Sequence, residues 1–459
     1  MAYRSKITLV YLLGFALDLL NMFASNIALP NIALELHASV TQLAWISNAY
    51  MLGLTLIIPL SVWLAARVGE RRLILGSLMV FGSASWLAAQ AASIEALIGW
   101  RLLQGLGGGL LIPVGQALAY RHFPAAERSH LTAMVMLVAL LVPALSPAAG
   151  GLVVQTLSWR WIYYANLPLA LLTLALAIFW LRTDEPLPQR TTLDGLGLVL
   201  GAATISLLLV ALSLLSESEQ RIAGLGVLGL STVLGWLYVR DGWSKPAPLL
   251  DLQLLKGQWL RVAMVVYLFV PGVFIGTSLI AVLYLHDRGF SPAMTGALML
   301  PWAVASGLAI TLGKRVFQRL GPKPLLVGGM VLQGLGIALL ALIEGPGGVL
   351  PILAYALMGL GGSLCSSTAQ TLAFLDTRAS HMGHASALWN INRQLSFCLG
   401  AAFLSSVLSV LGPFSPTAFA LCFLLAAALT LLPLPAVLRM DTAALLAHLT
   451  PQPAKEKNP

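Results

Sequence analysis

The chain has 459 residues, of which 58% are hydrophobic and 9% charged, and its formal net charge is +9. Soluble domains carry about 25% charged residues, so this chain has too little polar surface to cover a water-facing core, and lipid is the solvent its side chains require. The positive balance does not point to nucleic acid, because the basic residues sit in short loops between apolar runs, where the positive-inside rule puts them.

A membrane-crossing helix needs about 20 mostly apolar residues. The first such run follows Met1-Ala2-Tyr3-Arg4-Ser5-Lys6 and continues to about Pro30. That is too long for a signal-peptide core, and the run is read as an uncleaved first span. Fourteen spans are predicted, over residues 7–29, 43–66, 73–93, 96–120, 131–156, 161–181, 194–215, 222–240, 260–285, 291–313, 324–343, 349–374, 384–411 and 416–436. Breakers fill the loops, as in Asp184-Glu185-Pro186 and Gly412-Pro413-Phe414-Ser415-Pro416. With the N-terminus in the cytoplasm, 21 of the 26 Lys and Arg fall on the cytoplasmic side, Arg160, Arg221 and Arg288 fall outside, and Arg101 and Arg393 lie within spans. A wrong span count would erase this asymmetry, so both termini are expected in the cytoplasm. Cys365, Cys398 and Cys422 all lie in apolar stretches with no metal-site or disulfide spacing, so they are read as packing residues, and neither a metal nor a cofactor is expected.

Two internal matches set the architecture. Residues 104–120 read QGLGGGLLIPVGQALAY and residues 358–374 read MGLGGSLCSSTAQTLAF, at an offset of 254. Arg67-Val68-Gly69-Glu70-Arg71 and Arg319-Leu320-Gly321-Pro322-Lys323 match at an offset of 252. Each match shifts by eight spans, so a six-helix unit is repeated with two helices inserted. The expected fold is therefore an all-α membrane protein. Residues 1–190 form one six-helix bundle, 191–245 the two inserted helices, 246–440 the second bundle and 441–459 a cytoplasmic tail. Parallel six-helix halves are a transporter plan.

Three formal charges lie away from span ends: Asp18, Arg101 and Arg393. Each costs about 2.5–3.5 kcal/mol at a helix centre on insertion scales, so each faces a cavity or a partner, or else serves as a structural ion pair. Polar residues gather on the same helices. Helix 1 carries Asn21, Ser25 and Asn26, helix 2 Asn48, helix 4 Gln104, and helix 13 Asn390, Asn392 and Gln394. Asp18, Asn21 and Ser25 share one helix face. The amides are candidates for a substrate cavity, or for interhelical glue. The glycines at 105 and 107–109 are not a phosphate loop; in an apolar span they permit close helix contact. Pro143, Pro147, Gly150 and Gly151 in helix 5 are candidates for a gating bend, and Arg67, Gly69 and Arg71 for a conformational loop.

These motifs together resemble the fourteen-helix drug/proton antiporter branch of the major facilitator superfamily. VWLAARVGERR over 62–72 is similar to the superfamily's GxLADRxGRR loop, and Arg101-Leu102-Leu103-Gln104-Gly105 to its RxxQG motif. Ser146 to Gly151 resembles the antiporter motif GPxxGG, and Trp159-Arg160-Trp161 through Asn166-Leu167-Pro168 resembles WRWxFxxNxP. Asp194-Gly195, Pro248 to Leu252 and Asn392-Arg393-Gln394 also fit the branch. Three departures stand out. Asn21 occupies the acid position of the LDxTIVNxALP segment, Ala66 and Val62 replace the Asp and first Gly of the loop, and Ser146 replaces the first Gly of GPxxGG.

The resemblance implies a monomeric secondary transporter of a bacterial inner membrane. It would export small amphipathic compounds in exchange for protons, with Asp18 standing in for the missing acid. Its partners would be substrate, protons and lipid, with no nucleic acid and no cofactor. Two other readings remain. One is an exporter of a dedicated metabolite, which two arginines against one acid would suit if it is anionic. The other is a membrane enzyme or sensor, for which the chain offers no nucleophile–base set, metal cluster or soluble domain.

Overall fold

The computed structural model describes residues 2–38, 40–182, 193–216, 220–245, 248–412 and 415–440. The expected loop breakers at 184–186 and 413–414 and the tail at 441–459 lie outside this set. Among the described residues the fold is all-α, with no β-sheet.

The first repeat comprises α1 (Tyr3–Ile27), α2 (Leu29–Leu36), α3 (Val40–Ile57), α4 (Ser61–Val68), α5 (Glu70–Ala89), α6 (Ile94–Arg121), α7 (Arg128–Thr156), α8 (Arg160–Tyr164) and α9 (Asn166–Trp180). The inserted pair is α10 (Gly195–Ser216) and α11 (Arg221–Ser244). The second repeat comprises α12 (Gln258–Phe269), α13 (Pro271–Asp287), α14 (Pro292–Ala297), α15 (Met299–Leu320), α16 (Pro322–Leu340), α17 (Leu350–Leu375), α18 (Met382–Leu411), α19 (Pro416–Leu431) and α20 (Leu434–Leu438). Among the described residues, thirteen helical stretches are long and apolar enough to cross a membrane. The described apolar part of α7, Arg128–Pro143, is a shorter one at the place of the expected fifth span.

Local chemistry explains several boundaries. Ser93 caps α6, its hydroxyl accepting from Ala96 N–H at 3.2 Å. Pro271 cannot donate to a helical ladder, and α12 ends just before it. At that joint the Val270 carbonyl accepts from the buried Gln333 amide of α16 at 2.8 Å as well as from Phe274 N–H at 3.1 Å. The expected bend in α7 is not a break, since the helix runs unbroken through Pro143 and Pro147.

Both internal matches have the same structural meaning in each copy. Gly69 separates α4 from α5 at φ 96°, and Gly321 separates α15 from α16 at φ 75°, a backbone region that disfavours any residue with a Cβ. A Cβ on Gly105 would collide with the Tyr50 carbonyl of α3, and one on Gly359 with the Trp302 carbonyl of α15. Two positions on, Gly107 meets the backbone of Phe81 in α5, and Gly361 that of Gln333 in α16. In each repeat one glycine-rich helix thus packs backbone to backbone against two others.

Contacts divide the described chain into two compact units. The first holds the chain up to His122, Val138–Leu254 and Arg378–Gln394. Here α6 is central, packed by α1, α3 and α5, while α9 closes on α1 and α5. The inserted helices pair as a hairpin, tied by Ser231 Oγ donating to the Thr204 carbonyl at 2.9 Å. Ile222, Leu225, Val233 and Trp236 of α11 are exposed, as a lipid-facing helix requires. The second unit holds Phe123–Leu137, Leu255–Thr377 and the described residues from Leu395 on. In it α17 is packed by α12, α15 and α16, and α16 by α19. This is the pattern of the first bundle repeated.

Candidate functional site

The close approach of α3, α5 and α6 brings polar side chains from several helices into one buried cluster. Asn21 is fully buried, and its Oδ1 accepts from three donors: Arg101 Nη1 at 3.0 Å, Gln104 Nε2 at 3.1 Å and Asn166 Nδ2 at 3.2 Å. Arg101, 1% exposed, also donates from Nη1 to Gln104 Oε1 at 2.8 Å and from Nε to the Ile46 carbonyl at 3.2 Å. Ser85 Oγ accepts from Gln104 and Asn166 and donates to the Tyr163 carbonyl at 2.9 Å. The guanidinium lies 4.4 Å from the ring centroid of Tyr50 and 5.7 Å from that of Tyr163. An amide oxygen has two lone pairs, so three donors saturate it, while the buried Asn21 Nδ2 makes no close hydrogen bond among the described residues and has the Tyr50 hydroxyl as a polar neighbour.

Asp18 lies one turn before Asn21 and is 2% exposed. The Tyr50 hydroxyl donates to its Oδ1, and Arg393 and Arg101 are the cations within electrostatic reach. Arg393 is half-buried, with its guanidinium 5.3 Å from the Phe15 ring centroid. Its Nε is buried and makes no hydrogen bond among the described residues. Nearby, Gln116 Oε1 of α6 accepts from Ser386 Oγ at 2.8 Å and Asn390 Nδ2 at 2.7 Å, a neutral polar clasp between α6 and the start of α18.

The structure therefore gathers Asp18, Asn21, Arg101 and Gln104 into one constellation, with Arg393 and Asn390 beside it. Asn48 is exposed on α3 and does not join. Gln394 is buried, Asn392 half-buried, and the side chains of Asn26 and Pro147 lie outside the described set. Pro143 is half-buried and Gly150 buried; the burial of Gly151 is likewise undescribed. In the loop after α4, Arg67 stands over the Trp63 ring at 5.4 Å, and Arg71 Nη2 donates to the Ile178 carbonyl at 2.9 Å. The adjoining Glu70 pairs with Arg121 at 2.8 Å. No group of three or more His, Cys, Asp or Glu that could hold a metal occurs among the described residues.

Comparison with known proteins follows the same lines. The family model for the Major Facilitator Superfamily matches residues 11–401. The chain belongs to that superfamily. It is a multi-pass secondary transporter of small molecules, not an enzyme. A "Multidrug resistance protein B homolog" of Mycobacterium tuberculosis is 29% identical over 395 residues, covering 84% of this chain and 72% of the relative. The "Drug efflux pump JefA" of the same organism is 26% identical over 419 residues, covering 89% and 81%. The crystal structure of the human organic anion transporter MFSD10 (TETRAN) superposes with a TM-score of 0.68, covering 95% of this chain and all of that one. At 16% identity that likeness concerns the fold alone.

In this facilitator, two motif segments serve as anchors at the ends of the membrane-crossing stretches. Glu35 pairs with Arg160 and accepts from Trp159 Nε1 at 2.6 Å. The Arg160 bond first, and then that of Trp159, hold its carboxyl below the usual carboxylate range. At the start of α10, Asp194 accepts from Gly197 N–H at 2.9 Å, Lys245 Nζ at 2.6 Å and Leu249 N–H at 3.3 Å. Burial alone would push the Asp194 carboxyl up, but these donors together bring it below its ordinary value.

Four members of the constellation escaped the sequence reading: Tyr50, Ser85, Tyr163 and Gln116. A tyrosine or serine in an apolar span is ordinary, and nothing in the order of residues marks which of them faces a charge. Asn166 carried a signal, since it belongs to the Trp159–Pro168 motif.

Proposed function

We propose that this transporter belongs to the fourteen-helix drug/proton antiporter branch and sits in a bacterial inner membrane with both termini in the cytoplasm. It exports small amphipathic organic compounds in exchange for protons by alternating access. The observation that carries this reading is Asp18, the one acid away from a span end, buried against Tyr50 with Arg101 and Arg393 as its charged neighbours. A carboxylate poised between desolvation and nearby cations can take up and release a proton as its surroundings change. The names of the relatives, a multidrug resistance homolog and a drug efflux pump, support export of organic compounds.

The test is transport by the full chain in proteoliposomes with an imposed pH gradient and a panel of lipophilic cations, neutral compounds and anions. The wild type is expected to concentrate at least one class. Asp18→Asn keeps the shape and removes the titration, so it should bind substrate but lose gradient-driven accumulation. If Asp18→Asn still concentrates substrate, coupling runs instead through a loop acid such as Glu35 or Asp287, or through the substrate's own titration.

A second reading, export of one anionic metabolite, is favoured by the unpartnered buried Nε of Arg393 and by two arginines facing a single acid. Benzenesulfonate and benzyltrimethylammonium separate the two, because both keep their charge at every working pH. Accumulation of the sulfonate alone, lost in Arg393→Gln, selects the anion.

A further inference from the structure

The backbone of α3 lies so close to α6 that Gly53, Gly105 and Gly109 leave no space for a Cβ. This carries Tyr50 into the core at 1% exposure. A Cβ on Gly108 would come within 3.1 Å of the Tyr50 hydroxyl, so glycine there leaves the hydroxyl in front of Asp18 room that a side chain would narrow. Tyr50 thus touches both charges of the constellation. Its hydroxyl bonds the Asp18 carboxylate and its ring faces the Arg101 guanidinium.

We infer that Tyr50 is a positioning residue that transmits the protonation state of Asp18 to Arg101, and through Arg101 to the amide cluster of Asn21, Gln104 and Asn166. The inference rests on Asp18 being the proton carrier.

A phenol has one hydroxyl proton, and it donates that proton to Asp18 while the carboxyl is ionised. Such a charge-assisted bond is short and strong, and it shifts electron density onto the ring, which strengthens the ring's hold on a cation. A protonated Asp18 is itself a donor. A proton on the oxygen facing the phenol makes the phenol turn or become the acceptor, and a proton on the other oxygen leaves the phenol only a neutral, weaker bond, so in either case the ring face loses that density. Arg101 feels the change directly, because among the described residues its hydrogen bonds go to the neutral oxygens of Ile46, Asn21 and Gln104. Those partners, with Asn166 and Ser85, belong to α1, α3, α5, α6 and α9, so a proton on α1 is read by five helices.

Besides Tyr50 from α3, the charged groups in reach of Asp18 are Arg101 from α6 and Arg393 from α18. Tyr163 of α8 stands beyond Arg101, Asn166 of α9 does not titrate, and Glu35 of α2 is held by Arg160 and Trp159.

Infrared difference titration of the reconstituted full chain, with guanidinium-labelled arginine, tests this without a known substrate. The wild type is expected to show a carboxyl band that Asp18→Asn removes, and an arginine change with the same midpoint. Tyr50→Phe keeps the ring but removes the donor to the charged form, so the carboxyl midpoint should rise by about one pH unit or more. Tyr50→Leu should leave the carboxyl titrating and abolish the arginine response. An arginine response that persists in Tyr50→Leu, or a Tyr50→Phe midpoint equal to the wild type, overturns the inference while the carrier reading stands. If Asp18→Asn removes no titrating band, the carrier reading fails and the inference fails with it. Should Tyr50→Leu not reconstitute, the Tyr50→Phe midpoint decides alone.

Discussion

A buried guanidinium is held by geometry as much as by charge. Arg101 uses Nε and Nη1 at once, on acceptors from three helices, a fork that lysine cannot reproduce. Arg101→Lys is therefore expected to fail in transport as fully as Arg101→Ala while membrane expression stays near normal, checked by proteoliposome uptake beside immunoblotting. Full transport by either variant would remove Arg101 from the machinery. Asn21 is the complementary case. Three donors converge on its oxygen, whereas its own amine makes no close hydrogen bond among the described residues, so the position favours an acceptor. Asn21→Asp should be tolerated, with a melting temperature at or above that of the wild type. Asn21→Leu leaves three buried donors unsatisfied and should cost on the order of 3 kcal/mol or more, seen as a lower melting temperature in detergent. The sequence marked Asp18, Asn21, Arg101 and Gln104 because a polar group in an apolar span costs too much to be idle. It could not mark Tyr50, because an aromatic ring costs nothing there, and its importance lies only in what it touches.

For the helices, the glycine pattern carries the packing. Gly105 and Gly359 occupy equivalent places in α6 and α17, each against the backbone of a neighbouring helix. Gly105→Val forces α3 away from α6 and should lower thermal stability and disrupt the Asp18–Tyr50 contact together. A stable variant with normal transport would show that the close approach is dispensable. The glycine run and its second copy were legible from the repeat, but the helix each one contacts was not. The hairpin of α10 and α11 illustrates a different control. Asp194 caps α10 and pairs with Lys245, and its carboxyl is held below the ordinary value. A group whose folded value is depressed adds stability that is complete above its unfolded value, about 3.9, and is lost as pH falls through the folded value. Melting curves from pH 7 down to pH 3 should therefore show the wild type losing its advantage over Asp194→Asn only at the acid end. A constant gap across that range would rule out the carboxylate as the source.

For the molecule as a whole, the distribution of basic residues predicts the topology. Reporter fusions truncated after successive spans should alternate in location, and a fusion at Asp184 should report from the cytoplasm. A periplasmic signal there would overturn the assignment of both termini.

An all-α fold of thirteen to fourteen spans with a repeated bundle pattern was readable from residue order, because the bilayer imposes a length on every helix and the duplication leaves a fixed offset. The buried charges could be named as well, since hydrocarbon penalises each of them individually. What only the tertiary structure decided is their association. It brings Asp18 to Tyr50, Arg101 to Asn21 and Gln104, and Asn390 to Gln116, while it leaves Asn48 exposed. Such pairings depend on how far each helix is rotated about its axis and how closely its neighbour approaches. Those quantities are set by packing between residues distant in sequence, which no local pattern encodes.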